Sequence, residues 1–111
     1  MPPGSQVTSL GADEPGKAEL GAELLRRARL VVDDVPLATE MGVLAQAGRE
    51  VRDAAATLRE VLRGEAPGRG GDAEVTVYAP VGLPWQDLAV GWAAYRAARH
   101  AGRGREADLL R

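Results

Sequence analysis

The run Leu30-Val31-Val32-Asp33-Asp34 decides the fold class. A short apolar stretch with consecutive β-branched valines, closed by two carboxylates, is the pattern of a strand covered on both faces, and such strands belong to parallel sheets flanked by helices. Parallel neighbours are joined by crossover connections, so helical segments should lie on either side of the run.

Upstream, Gln6 to Leu10 is β-compatible and ends at Gly11, after which Asp13-Glu14-Pro15-Gly16 supplies turn chemistry. From Ala18, the residues Leu20, Leu24 and Ala28 recur at i, i+4 and i+8, with Glu19, Glu23, Arg26 and Arg27 largely opposite. That spacing predicts a helix of about three turns. Downstream, Pro36 opens a short helix through Met41, with Gly42 and Gly48 as breaks. Val51, Ala55, Leu58 and Leu62 then mark the inner face of one further helix, ended by Gly64. Ala66 to Asp72 reads as loop, Val75-Thr76-Val77-Tyr78 as a third strand, and the stretch after Pro84 as a long helix with Leu88, Gly91, Trp92 and Tyr95 on one face. The order β-α-β-α-α-β-α predicts an open α/β sheet with right-handed crossovers.

A chain of 111 residues allows one domain with a modest core, and 45% apolar with 27% charged residues is ordinary for a globular protein. Fourteen basic against 16 acidic side chains, with no basic stripe interleaved with aromatics, argue against nucleic acid as a partner. Cysteine is absent, which removes disulfides and thiolate chemistry. Lys17 is the only lysine and His100 the only histidine, so a three-histidine metal site cannot be built, and no metal is expected. No apolar run approaches the roughly 20 residues of a membrane span, and the N-terminus lacks the pattern of an export signal. A non-membrane, cytoplasmic chain is the expectation.

Ligands of open α/β sheets sit beyond the C-terminal strand ends, which directs attention to the loop after Gly11, to Asp33 and Asp34, and to the loop after Tyr78. Asp13 reads either as an ordinary loop or capping aspartate or as a general acid/base. Lys17 reads as a surface charge or as a cation offered to phosphate or ribose. Asp33 and Asp34 read as a strand end that caps the next helix, with no companion carboxylates to hold a metal. Gly102-Arg103-Gly104-Arg105-Glu106-Ala107 matches the dinucleotide fingerprint G-x-G-x-x-A but follows a helix, with no strand before it and no room for a βαβ unit after it, so it is set aside. The Trp92/Tyr95 stripe reads as packing surface, and His100 as a side chain suited to a helix C-terminus.

Val7-Thr8-Ser9-Leu10-Gly11-Ala12-Asp13-Glu14-Pro15-Gly16-Lys17-Ala18-Glu19-Leu20 resembles the strand-loop-helix signature of the ornithine cyclodeaminase/μ-crystallin family, whose distinctive core is G-A-D-x-P-G-K-x-E-L. The resemblance continues in register through Ala28-Arg29-Leu30-Val31-Val32-Asp33, Glu60-Val61-Leu62-Arg63-Gly64 with Pro67-Gly68-Arg69, and Val75-Thr76-Val77-Tyr78 leading into Val81-Gly82-Leu83 and Asp87. It runs from Gly4 to about Gly104 and corresponds to the family's last part. The fold it implies is the C-terminal part of a Rossmann-like parallel sheet with covering helices, incomplete, over residues 1–104 with the following helix, and a tail at 105–111.

The resemblance implies a dinucleotide, NAD or NADP, and a small amino-acid substrate. Asp13 would be the catalytic acid/base that contacts substrate. Thr8, Ser9, Leu10 and Gly11 would line the cofactor, Lys17 and Pro80 would contact it, and Val81 would lie against the substrate in a loop that closes over the site. The implied reaction converts L-ornithine to L-proline and ammonia by hydride transfer out and back, with the Asp13 carboxylate tuned by partial burial. Departures bear on substrate identity: Gly42-Val43 stands where the family commonly has Gly-Glu, and Tyr78 and Pro80 where it usually has phenylalanine and serine. The alternatives are a related amino-acid dehydrogenase or imine reductase, or a non-catalytic remnant acting as an association module. The family implies a homodimer; an isolated chain, expected to be inactive alone, should self-associate through its unpaired strand edge.

Overall fold

The computed structural model describes residues 1–108. Of the expected tail at 105–111, residues 109–111 lie outside the described residues. The elements are β1 (Gln6–Thr8), α1 (Ala22–Arg27), β2 (Arg29–Val32), α2 (Val35–Glu40), a 3-10 turn (Val43–Gln46), α3 (Arg49–Ala54), β3 (Ala56–Thr57), α4 (Leu58–Arg63), β4 (Thr76–Tyr78) and α5 (Pro84–His100).

The strands form one wholly parallel sheet in the order β1-β4-β2-β3. Val77 is the hinge of the register, opposite Val7 on one side and Leu30 on the other. Alternation along β2 sends Leu30 and Val32 into the core and leaves Arg29 and Val31 half-buried on the other face. The core joins these two to Val77, Ala79, Leu25, Ala38, Val43, Leu44 and Ala47, so α1, α2 and the 3-10 turn cover one face. Among them Leu44 and Val32 are completely shielded from solvent. The other face is more polar. Arg29 and Glu74 form an ion pair there at 2.8 Å, and Arg69 donates to the Gly4 carbonyl at 2.8 Å and to the Thr76 hydroxyl at 2.9 Å.

Four features differ from the sequence expectation. The strand read as Gln6 to Leu10 ends at Thr8, and Leu10 is exposed. The first helix begins at Ala22 rather than Ala18 and lasts six residues, because Glu19 is engaged with the strand-end loop; its fully buried side chain is Leu25, with Leu20, Leu24 and Ala28 only packed around it.

The single helix expected through Val51, Ala55, Leu58 and Leu62 is two helices separated by an edge strand. Ala56 and Thr57 pair with Val31 and Val32, and Thr57 then starts α4 with a capping box. Its hydroxyl accepts from the Glu60 N–H at 3.2 Å while the Glu60 carboxylate accepts from the Thr57 N–H at 2.7 Å. A β-branched N-cap with two reciprocal bonds outweighs helical continuity through two alanines.

The fourth difference is α5. No residue of this 17-residue helix is buried, and Trp85, Leu88, Trp92 and Tyr95 are all at least half exposed. Trp92 and Tyr95 stack on each other at 5.4 Å instead of packing on the sheet. The projecting helix accounts for a Cα radius of gyration of 17.9 Å, against about 13 Å for a compact domain of 100 residues. His100 does lie in its last turn, as expected. Among the described residues no helix is long and apolar enough to cross a membrane.

Replacing Leu44 by alanine should destabilise the chain by about 2–5 kcal/mol, the range for opening a cavity at a fully buried leucine. Leu88→Ala, on the exposed face of α5, should stay within about 0.5 kcal/mol. Urea titrations of the two variants check the contrast.

Candidate functional site at the strand ends

Because the strands are parallel, the exits of β1, β4 and β2 lie side by side at one edge of the sheet. The Ser9 N–H donates to the Tyr78 carbonyl at 3.0 Å and the Ala79 N–H to the Val31 carbonyl at 2.9 Å, so the three exits are tied together. The residues assigned to substrate or cofactor lie on this edge or on the loops that leave it.

Thr8 is exposed at the end of β1, Ser9 is buried, and Leu10 is 69% exposed. What fixes this turn is Glu19. One of its carboxylate oxygens accepts from the Ser9 hydroxyl at 2.5 Å and from the Gly11 N–H at 2.8 Å. Those two bonds hold the Glu19 carboxyl below the ordinary glutamate range, the Ser9 hydroxyl contributing most. Sequence reading placed Glu19 on the outer face of a helix and missed this role; its place inside the matched Lys17-Ala18-Glu19-Leu20 string was the available signal.

Asp13 and Lys17 are brought together. The Lys17 ammonium donates to Asp13 Oδ1 at 2.8 Å and lies 3.5 Å from Glu14, with the Lys17 and Asp13 side chains nearly half exposed. Gln46 donates to the carbonyls of Gly16 and Lys17, both at 3.2 Å, and anchors the far end of the loop to the 3-10 turn. The hydrogen bond from Lys17 lowers the Asp13 pKa, and the same bond raises that of Lys17. In the free chain the ammonium beside Asp13 outweighs burial in its influence on the carboxyl, in the direction of a stable carboxylate.

Pro80 and Val81 are half-buried in the loop after β4. The Val81 side chain lies against Gly42, where an added Cβ would stand 2.6 Å from Val81 Cγ2 and 2.8 Å from the Ala38 Cα, so a larger residue at the end of α2 would push the loop away. Gly82 carries φ of +100°, a conformation that favours glycine. Asp33 meets the loop with its carboxylate, accepting from the Val81 N–H at 3.0 Å and the Gly82 N–H at 2.7 Å. Asp34 caps α2, its carboxylate accepting from the Leu37 N–H at 2.8 Å. The Tyr78 phenol beneath is pushed up in pKa by burial and, to a lesser extent, by the Asp33 charge. Among the described residues no hydrogen bond or ion pair links Asp13 or Lys17 to Pro80, Val81 or Gly82. The two loops are neighbours held by separate anchors.

The model of the ornithine cyclodeaminase/mu-crystallin family matches residues 1–102. An alanine dehydrogenase of Archaeoglobus fulgidus is 37% identical over 97% of this chain and 35% of its own length. An iminosuccinate reductase of Paracoccus denitrificans is 36% identical over 95% of this chain and 33% of its own. For an ornithine cyclodeaminase of Agrobacterium tumefaciens the figures are 33%, 78% and 24%. A solved archaeal alanine dehydrogenase dimer with bound NAD superposes with a TM-score of 0.84 at 34% identity, over 99% of this chain and 36% of that one. The Paracoccus iminosuccinate reductase, solved with NAD+, gives a TM-score of 0.79 at 33% identity, over 98% and 34%. The chain thus spans about a third of the length of the relatives it matches.

Glu19 makes the site edge acid-sensitive. A carboxyl whose folded-state pKa is lowered stabilises the fold fully above its ordinary value, here 4.5, and that contribution drains away as pH falls toward the lowered value. Thermal unfolding followed from pH 7 to pH 3 should therefore show a falling midpoint, and Glu19→Gln should flatten the acidic limb. An unchanged limb in the variant would remove Glu19 from this account.

Proposed function

The chain belongs to the ornithine cyclodeaminase/mu-crystallin family, and from that premise we propose that it carries the cofactor-facing acid/base edge of an enzyme that interconverts a small L-amino acid and its imine with NAD or NADP. The observation that carries the reading is the Asp13–Lys17 ion pair, seated next to a strand-end turn whose backbone Glu19 holds fixed. Residues 1–104 form the working unit in this reading, with 105–111 as a tail.

The residues present fit a dinucleotide. Leu10 offers an exposed apolar side chain at the strand end, and a Cβ on Gly82 would meet nothing within 4 Å, so each leaves its own surface open to a ligand. Thr8, Ser9, Leu10 and Gly11 present backbone to it, Pro80 borders it, and Lys17 reaches its phosphate or ribose oxygens as a flexible cation. When bound, the nicotinamide supplies hydride exchange at the substrate α-carbon. Asp13 holds or takes the proton of the substrate amine, and Val81 lies against the substrate side chain. A carboxylate kept ionised by Lys17 suits the accepting half of that task.

Which amino acid is used divides two readings. The alanine dehydrogenase and the iminosuccinate reductase, at 37% and 36% identity over nearly the whole chain, favour net redox chemistry. The second reading is ornithine cyclodeamination, which returns the hydride and consumes no cofactor, and it is supported by the Agrobacterium relative. The archaeal dimer supports a homodimer as the assembly. Cysteine-free composition suits a reducing compartment, and the cytoplasm is the proposed location.

Calorimetric titration of NAD+ and NADP+ into the chain should show binding that Lys17→Ala weakens and Asp13→Asn leaves within about twofold. In the assembled enzyme, Asp13→Asn should lower turnover roughly 100- to 10,000-fold, the span for loss of a positioned acid/base. L-alanine, L-aspartate and L-ornithine separate the two readings: NADH accumulation marks a dehydrogenase, whereas ammonia release without NADH marks a cyclodeaminase. Binding indifferent to Lys17, with turnover indifferent to Asp13, would sink the proposal.

A further inference from the structure

Asp33 directly follows β2, yet its carboxylate is spent on a different element. Oδ1 accepts from the Val81 N–H at 3.0 Å and Oδ2 from the Gly82 N–H at 2.7 Å, while Oδ1 also accepts from the Asp34 N–H at 3.0 Å. Capping α2 does not require this, since Asp34 does it through its own side chain. Ending the strand does not require it either, because the two N–H groups belong to the loop that leaves the neighbouring strand. Two consecutive donors on two different oxygens call for a carboxylate. Asparagine has the same shape but presents one acceptor and one donor, and the amide donor would oppose the second N–H.

The opposite side of the loop is fixed by shape. Val81 is seated on Gly42 at a separation that leaves no room for a Cβ there. Pro80, Val81 and Gly82 are therefore held between a charge-assisted clamp and a steric stop, at the strand end beside the Ser9–Gly11 turn. Connecting loops are usually among the more mobile parts of a fold, whereas this one is held on one side by charge-assisted hydrogen bonds to a half-buried carboxylate and on the other by a steric stop.

We propose that Asp33 is a positioning residue that presets the Pro80–Gly82 loop for the bound nicotinamide, an inference that rests on the cofactor reading above. Asp33 touches neither substrate nor cofactor in this role; it acts through the Val81 and Gly82 backbone. Presetting the loop removes the ordering cost that binding would otherwise meet, so it is read in affinity as well as in local protection.

Amide hydrogen exchange by NMR and NAD+ calorimetry, on wild type, Asp33→Asn, Asp34→Asn and Gly82→Ala of the full chain, test it. In Asp33→Asn the Ser9 and Ala79 amides, which report the sheet, should keep their protection. Protection at Val81 and Gly82 should fall roughly ten- to a hundredfold, the range for hydrogen bonds to a charged group, and NAD+ affinity should drop at least about tenfold. Gly82→Ala strains the loop while leaving Asp33 in place and should reproduce both losses, so the idea stays testable if Asp33→Asn folds poorly. Asp34→Asn should reproduce neither. Unchanged exchange at Val81 and Gly82 in Asp33→Asn overturns the clamp, and lost protection with unchanged affinity overturns the positioning role. A wild-type chain that protects both amides but binds no NAD+ overturns the cofactor reading and this role with it, a pattern distinct from the other two.

Discussion

The structure depends on β4 being threaded between β1 and β2. Thr76, Val77 and Tyr78 pair with Gln6, Val7 and Thr8 on one side and with Arg29, Leu30 and Val31 on the other. The last strand in the sequence thus closes a sheet whose first two strands do not touch each other. Buried backbone donors and acceptors must be paired, so β4 has to satisfy two edges at once, and a slip of one residue would turn Val77 out of the core. The same constraint builds the site. Parallel pairing in this order sets the exits of β1, β4 and β2 next to one another, and a loop on each brings Asp13, Val81 and Asp33 to one edge.

Alternation then divides the labour of the two faces. Val7, Leu30, Val32 and Val77 contribute to the apolar side, where α1, α2 and the 3-10 turn pack. The side chains between them face the other way. On that face the Thr76 hydroxyl donates to the Gln6 amide oxygen and accepts from Arg69, while Glu74 pairs with Arg29 and also accepts from the Gly70 N–H at 2.5 Å. Among the described residues every buried side-chain nitrogen and oxygen has a partner. Polar satisfaction on one face and close packing on the other allow a thin sheet to hold its strand ends in place.

Much of this was legible in the sequence. Leu30-Val31-Val32 announced a covered parallel strand, Val75 to Tyr78 a second, and the strand-end rule pointed to Asp13, Lys17 and the Pro80–Gly82 loop before any resemblance was invoked. Failures came where a side chain's partner is distant in sequence or where one bond outweighs a periodic pattern. Glu19 looked helical by spacing, but its carboxylate serves a turn eight to ten residues earlier. Ala55 and Leu58 fitted a single helix, while the edge of β2 and the Thr57 capping box broke it in two. Asp33 was visible as a strand-end acid, but its partners lie 48 and 49 residues away and are backbone groups, which no pattern of side chains encodes. For Trp92 and Tyr95 helical spacing predicts a packing face but not what covers it, and no part of the described chain does.

The electrostatics of Asp13 and Lys17 couple the two halves of the proposed chemistry. Each now stabilises the charged form of the other through one 2.8 Å hydrogen bond. A ligand that draws the Lys17 ammonium toward its own phosphate or ribose oxygens weakens that bond and lets the Asp13 pKa relax upward toward its ordinary 3.8. Excluding water as the site fills would carry it further in the same direction, since desolvation is already the opposing influence on this group. Under the proposed roles, the lysine offered to the cofactor would then also govern when the aspartate takes a proton. In the proposed reading, the Asp13–Lys17 ion pair of the free chain would be the resting state of a coupled pair, linking cofactor binding at Lys17 to proton transfer at Asp13.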